Sequence, residues 1–146
     1  MRNIRREAMV PQTASQMYDL VDRVEDYPNF LPWCSKTIGH HRNADEVQAT
    51  LSISAAGFEK SFTTKNRLQP GKMIEIRLLD GPFKHLEGFW LFEDLPNGSR
   101  VLLDLEFEFA GGLLSFAFDP IFHQVASTLV DAFVSHANTH YAATAT

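Results

Sequence analysis

Between Ser35 and Phe109 apolar and polar residues alternate one by one, the period of strands with a single buried face. Val47, Ala49, Leu51, Ile53 and Ala55 interleave with Gln48, Thr50, Ser52 and Ser54. Ile74, Ile76 and Leu78 interleave with Glu75 and Arg77, and Val101, Leu103, Leu105, Phe107 and Phe109 with Asp104, Glu106 and Glu108. Turn formers punctuate these runs at Asn43-Ala-Asp45, Gly57, Pro70-Gly71, Asp80-Gly-Pro82 and Pro96-Asn-Gly98. Short turns join antiparallel neighbours, because parallel ones need long crossovers. The segment therefore predicts an antiparallel meander.

The flanks read differently. Ile4 to Val10 predicts a first strand, ended by Pro11. Thr13 and Gln16 have capping-box spacing, and Met17, Leu20, Val21 and Val24 follow at helical spacing. Pro28 and Pro32 bracket Tyr27 to Trp33 as a helical turn and a tight corner. Beyond Gly111-Gly112, the residues Gln124, Thr128, Asp131, Ser135 and Asn138 form one narrow polar stripe among apolar neighbours. A helix that is mostly apolar around its circumference is a covered helix. Asp119-Pro120 predicts its start, with Leu113 to Phe118 a separate or kinked turn. From Pro120 to Tyr141 it would run roughly 33 Å, close to the ~30 Å of a long strand. The expected architecture is α+β, a curved antiparallel sheet wrapped on a long C-terminal helix, as one domain over residues 1–146.

Composition narrows the function. The 146 residues carry a formal charge of −5, a poor balance for neutralising phosphates, so DNA is not an expected partner. Arg2, Arg5 and Arg6 make only a small basic start. A lone cysteine, Cys34, permits no internal disulfide. The N-terminal residues lack the apolar run of a signal peptide, and no stretch is long enough to span a membrane. The expected location is the cytoplasm, including the periphery of the inner membrane through transient contact.

Candidate chemistry is sparse. Asp104, Glu106 and Glu108 share a strand face, but interleaved with Leu and Phe they read as a solvated stripe. His136 and His140 stand one helical turn apart without a locally spaced third ligand, so no metal is expected. Cys34 has His40 and His41 near in sequence, but those fall in an exposed hairpin, and a quiet thiol is expected. No nucleophile elbow, phosphate loop or zinc-helix motif occurs, and no catalytic residue is assigned.

Two strands point to a cavity instead. Phe58, Phe62 and Leu68 share a face with Lys60, Thr64 and Asn66. Unpaired polar groups are costly in a dry core, so these either reach solvent at the sheet ends or line a pocket. The next strand places Lys84, Leu86, Gly88, Trp90 and Phe92 on one face, with Gly88 either a bulge or room for a bulky occupant. Phe122, Val125, Leu129 and Phe133 of the long helix would cover them, closing an apolar tunnel. Phe30 and Trp33, from the proline-bracketed corner, complete the expected ligand-binding set, with Trp33 at the mouth.

Three blocks carry a family resemblance: Tyr27-Pro-Asn-Phe-Leu-Pro-Trp-Cys34, Gly81-Pro-Phe-Lys-His-Leu-Glu-Gly-Phe-Trp90, and Phe122 through Phe133. In that order they resemble the coenzyme Q-binding and ribosome-association toxin family of the START-like, polyketide cyclase-like helix-grip superfamily. The resemblance covers essentially the whole chain and implies the order β-α-α-β-β-β-β-β-β-α with an apolar cavity between sheet and helix. It implies two roles. One is non-enzymatic binding of ubiquinone or a similar polyprenyl lipid in support of respiration. The other is binding to the large ribosomal subunit, blocking subunit joining. A cyclase or hydrolase in the same cavity is a third, without a catalytic constellation here. The quinone role is the leading expectation, with no covalent cofactor.

Overall fold

The inward positions of the alternating runs meet on a common face. A computed structural model of the chain describes residues 2–141, apart from the side chains of residues 113–115. The strands are β1 (Arg2–Val10), β2 (Cys34–Arg42), β3 (Glu46–Ala55), β4 (Phe58–Gln69), β5 (Met73–Asp80), β6 (Phe83–Leu95) and β7 (Gly98–Phe109). They form one sheet in the order β1-β7-β6-β5-β4-β3-β2, every neighbouring pair antiparallel. β2 to β7 are the expected meander. β1 closes the far edge, with Ile4 opposite Leu105.

Helix α1 (Ala14–Asp22) and a 3₁₀ helix (Val24–Asn29) connect β1 to β2. The capping box forms: Thr13 Oγ1 accepts from the Gln16 N–H at 3.1 Å, and Gln16 Oε1 accepts from the Thr13 N–H at 2.9 Å. Two orphan donors of the first turn are thereby satisfied. Met17, Leu20 and Val21 then turn into the core.

The C-terminal helix departs from expectation at both ends of its first half. Helix α2 (Leu113–Ser127) begins seven residues before Pro120, so the expected separate turn belongs to the helix itself. Pro120 removes only the hydrogen bond that the Phe116 carbonyl would have received. The expected single helix to Tyr141 is instead broken at Thr128, and α3 (Leu129–His140) follows. Thr128 Oγ1 donates back to the Gln124 and Val125 carbonyls at 3.0 and 3.1 Å, and Ser127 Oγ donates to Gln124 at 3.1 Å. Hydroxyls that compete for backbone acceptors bend a helix. The polar stripe is nonetheless solvent-facing at all five positions. Opposite it, Phe118, Phe122, Ala126, Val130, Phe133 and Ala137 are buried. Two contacts tie the end of α3 to α1 and the segment before it: Tyr141 Oη donates to the Gln16 carbonyl at 3.0 Å, and Gln12 Nε2 to Asn138 Oδ1 at 3.1 Å.

Gly88 proves to be neither a bulge nor spare room. It pairs in register with Ile76 on one side and Leu105 on the other. A Cβ built there would stand 2.2 Å from the Asp104 carbonyl oxygen and 2.9 Å from Leu105 Cα. Glycine is required because β7 backbone occupies the space.

Candidate functional site

Between sheet and helices lies a small cavity of about 80 Å³, walled by residues from every layer. α1 and the 3₁₀ segment contribute Val21, Val24 and Tyr27, the following corner Trp33, and α3 Leu129. The sheet contributes Leu51, Thr64, Asn66, Ile74, Ile76 and Trp90. Ligand pockets commonly measure roughly 300–1,000 Å³. This one has room for a few waters or a small apolar fragment. Its walls are apolar apart from Thr64, Asn66 and the Tyr27 hydroxyl, which donates to the Val21 carbonyl. Asn66 Oδ1 is buried without a hydrogen-bond partner.

Of the eleven expected ligand-binding residues, the cavity brings together Trp33, Thr64, Trp90 and Leu129. Phe30 and Phe133 pack directly behind it: Phe133 meets Tyr27, Phe30 and Trp90 edge-to-face at 5.4, 5.3 and 5.4 Å. Phe92 lies against Trp90 and against Tyr18. Leu86 and Val125 are core residues away from the void. Phe62 and Phe122 belong to a separate aromatic cluster. Phe83 stacks on Phe109 at 4.5 Å, Phe122 meets Phe83 at 4.9 Å and Phe107 at 4.7 Å, and Phe62 meets Phe83 at 5.5 Å. Each such edge-on or offset pair is favourable beyond its buried area. Phe62 and Phe122, expected to line a tunnel, therefore pack against each other and against rings from β6 and β7.

The wall residues missing from the expected set are Val21, Val24, Tyr27, Leu51, Asn66, Ile74 and Ile76. Apart from Tyr27, which lies in the proline-bracketed corner, each already stood on an inward face by periodicity. What periodicity lacks is position along the strand, which separates the few residues at a void from those sealed above and below it.

The remaining candidates fall as follows. Cys34 is buried, and burial pushes its thiol pKa up, away from the reactive thiolate. His40 and His41 are exposed on β2, and His40 is bonded to Thr50. His136 stacks face to face on Phe30 at 3.8 Å. Its pKa is lowered from the usual value, first by desolvation and then by His140. Asp104, Glu106 and Glu108 face outward, opposite the helices, as expected. The basic start is less basic than its sequence suggests. Arg2 pairs with Asp119 at 2.7 Å and Arg5 with Asp104 at 3.0 Å.

A curved seven-stranded sheet gripped by a C-terminal helix, with a cavity between them, defines a START-like helix-grip domain. The polyketide cyclase / dehydrase and lipid transport family matches residues 10–134, and the chain belongs to it. Solved structures agree. The Zhui aromatase/cyclase of a Streptomyces species superposes with a TM-score of 0.82 at 16% identity, over 94% of this chain and 93% of that one. A STAR-related lipid transfer protein fragment from Xanthomonas axonopodis gives 0.77 at 14% identity, over 94% and 86%. Within the family the sequence is more specific. It is 41% identical to the ribosome association toxin RatA of Vibrio cholerae over 97% of this chain and 99% of the relative. It is 24% identical to the mitochondrial coenzyme Q-binding protein of Drosophila melanogaster, over 88% of this chain and 55% of that protein. Among the described residues, no helix is long and apolar enough to cross a membrane.

Proposed function

We propose that this protein acts by binding the ribosome, as a member of the RatA branch of its family, rather than by catalysis. The observation that carries the reading is the 41% identity spread across 97% of the chain. The specific form proposed is contact with the large subunit that keeps the subunits apart. With a net charge of −5, and with Arg2 and Arg5 already neutralised, a basic ribosomal protein suits this surface better than bare RNA. Overproduction in a bacterial host should raise free subunits at the expense of joined ribosomes in sucrose gradients, with the protein sedimenting alongside the large subunit. A normal profile with the protein left at the top of the gradient overturns the proposal.

An apolar ligand in the cavity is the second reading, favoured by the unpartnered Asn66 Oδ1 in a mostly apolar wall. Ubiquinone is the ligand proposed, in view of the coenzyme Q-binding relative, and its ring would have to displace Leu129 or Trp33 to be accommodated. Trp33 and Trp90 both border the void, so a short-chain ubiquinone that enters will quench both indoles saturably. Linear, non-saturating quenching rejects this reading.

A further inference from the structure

On the outer face of the sheet, away from the cavity, β6 and β7 bring His85, Glu87 and Glu106 together. We propose that these three side chains form a zinc site. One nitrogen and two oxygen ligand atoms, one from each residue, lie within 4.8 Å of one another. His85 Nε2 stands 3.5 Å from Glu87 Oε1 and 3.6 Å from Glu106 Oε2. Those separations are long for hydrogen bonds. They approach the edge of a tetrahedron around a cation with bonds of about 2.1 Å, which is about 3.4 Å. His85 Nε2 is buried and has no hydrogen-bond partner.

Local structure builds the cluster. A register shift between Phe83 and His85 inserts one extra residue into β6. Phe83 and Leu86 both stay buried, and the bulge turns His85 outward beside Glu87. Glu87 and Glu106 are direct cross-strand partners. Like charges facing each other across a ladder are unfavourable unless a cation lies between them. The neighbouring cations only partly supply one. Arg77 reaches Glu87 through the other oxygen, Oε2, at 3.9 Å, leaving Oε1 toward His85. Lys84 is 3.9 Å from Glu108, and Arg5 is taken by Asp104. Among the described residues Glu106 has His85 as its sole ion-pair partner.

One imidazole with two carboxylates suits zinc, which takes mixed nitrogen and oxygen donors in fours, the fourth here a water. Calcium takes six to eight oxygens, and magnesium holds its waters in a strict octahedron, so neither fits this set.

The test uses the full chain without an affinity tag, stripped with chelator and titrated with zinc chloride near pH 7.5. One equivalent should bind at micromolar concentration while magnesium does not. His85→Gln and Glu106→Gln should each weaken binding at least tenfold. His140→Gln, at an exposed histidine on α3 outside the cluster, should leave it unchanged. The unsubstituted chain gives a second measurement independent of folding: on adding zinc, the His85 ring resonances should shift and those of His136 and His140 should not. Absence of stoichiometric binding, equal binding by the His85 and Glu106 variants, or shifts confined to His136 and His140 overturns the site.

Discussion

Gly88→Ala will unfold this protein some 10 °C below the parent, although alanine is the smallest side chain and the position lies in a regular strand. The added methyl group would stand 2.2 Å from the Asp104 carbonyl oxygen, 2.9 Å from Leu105 Cα and 3.1 Å from the Asp104 carbonyl carbon. All three atoms are backbone, so no rotamer change relieves the contact. Either β6 and β7 part, losing ladder bonds at the centre of the sheet, or the pair bends and disturbs Trp90 and Leu103, opposite each other two residues on. Overpacking of this kind costs about 3 kcal/mol, which corresponds to roughly 10 °C in a domain of this size. Gly88→Leu, which might have been chosen to fill a cavity, should fail to fold for the same reason. Thermal unfolding followed by circular dichroism decides the matter. An alanine variant melting within two degrees of the parent would show that the strands are farther apart than described.

Phe133→Ala will cost about as much by the opposite mechanism. Phe133 is fully buried, and its ring is the shared partner of Tyr27, Phe30 and Trp90. Removing it forfeits burial of the whole ring and leaves a void, together about 3–5 kcal/mol. Two of its neighbours, Tyr27 and Trp90, also border the existing 80 Å³ cavity, so the new space should merge with the old. Apolar cavities of that kind stay dry and take up small aromatic molecules. Benzene should therefore restore part of the lost stability in the variant and stabilise the parent much less. A loss below 1 kcal/mol by urea unfolding would place Phe133 outside the centre of the core.

The zinc site and the aromatic core occupy opposite faces of β6, which makes their tests independent. His85 and Glu87 point outward from the strand that sends Leu86, Trp90 and Phe92 inward. A variant on one face is therefore a fair control for the other.

Much of the fold was legible because it rests on local rules. Val101, Leu103, Leu105 and Phe107 face inward because successive strand residues point to opposite sides, and nothing outside β7 is needed to know it. The Thr13 cap works through a neighbour three residues away. The polar stripe from Gln124 to Asn138 marks the solvent face through the helical period alone. Even the break at Thr128 is local in origin, yet periodicity passes over it, since a serine and a threonine on a helix surface usually face solvent without bending the backbone.

The site was legible only in part, because its properties belong to contacts between distant segments. Phe62 and Phe122 sit on the expected inner faces, but whether they line a space or fill it depends on Phe83, Phe107 and Phe109 arriving from other strands. Gly88 read as a bulge or as room for a bulky occupant until β7 placed its backbone there. Arg2 and Arg5 read as a free basic cluster until Asp119 and Asp104 came alongside. His85 meets Glu106 only through a bulge and a register that no single strand encodes. The sequence by itself determined which side of each strand and helix is buried, through periods of two and 3.6 residues set by backbone geometry. The tertiary structure alone decided where the interior is solid and where it is empty, and which charges are paired. Packing density and ion pairing depend on distances between residues tens of positions apart, and those exist only once the chain has closed on itself.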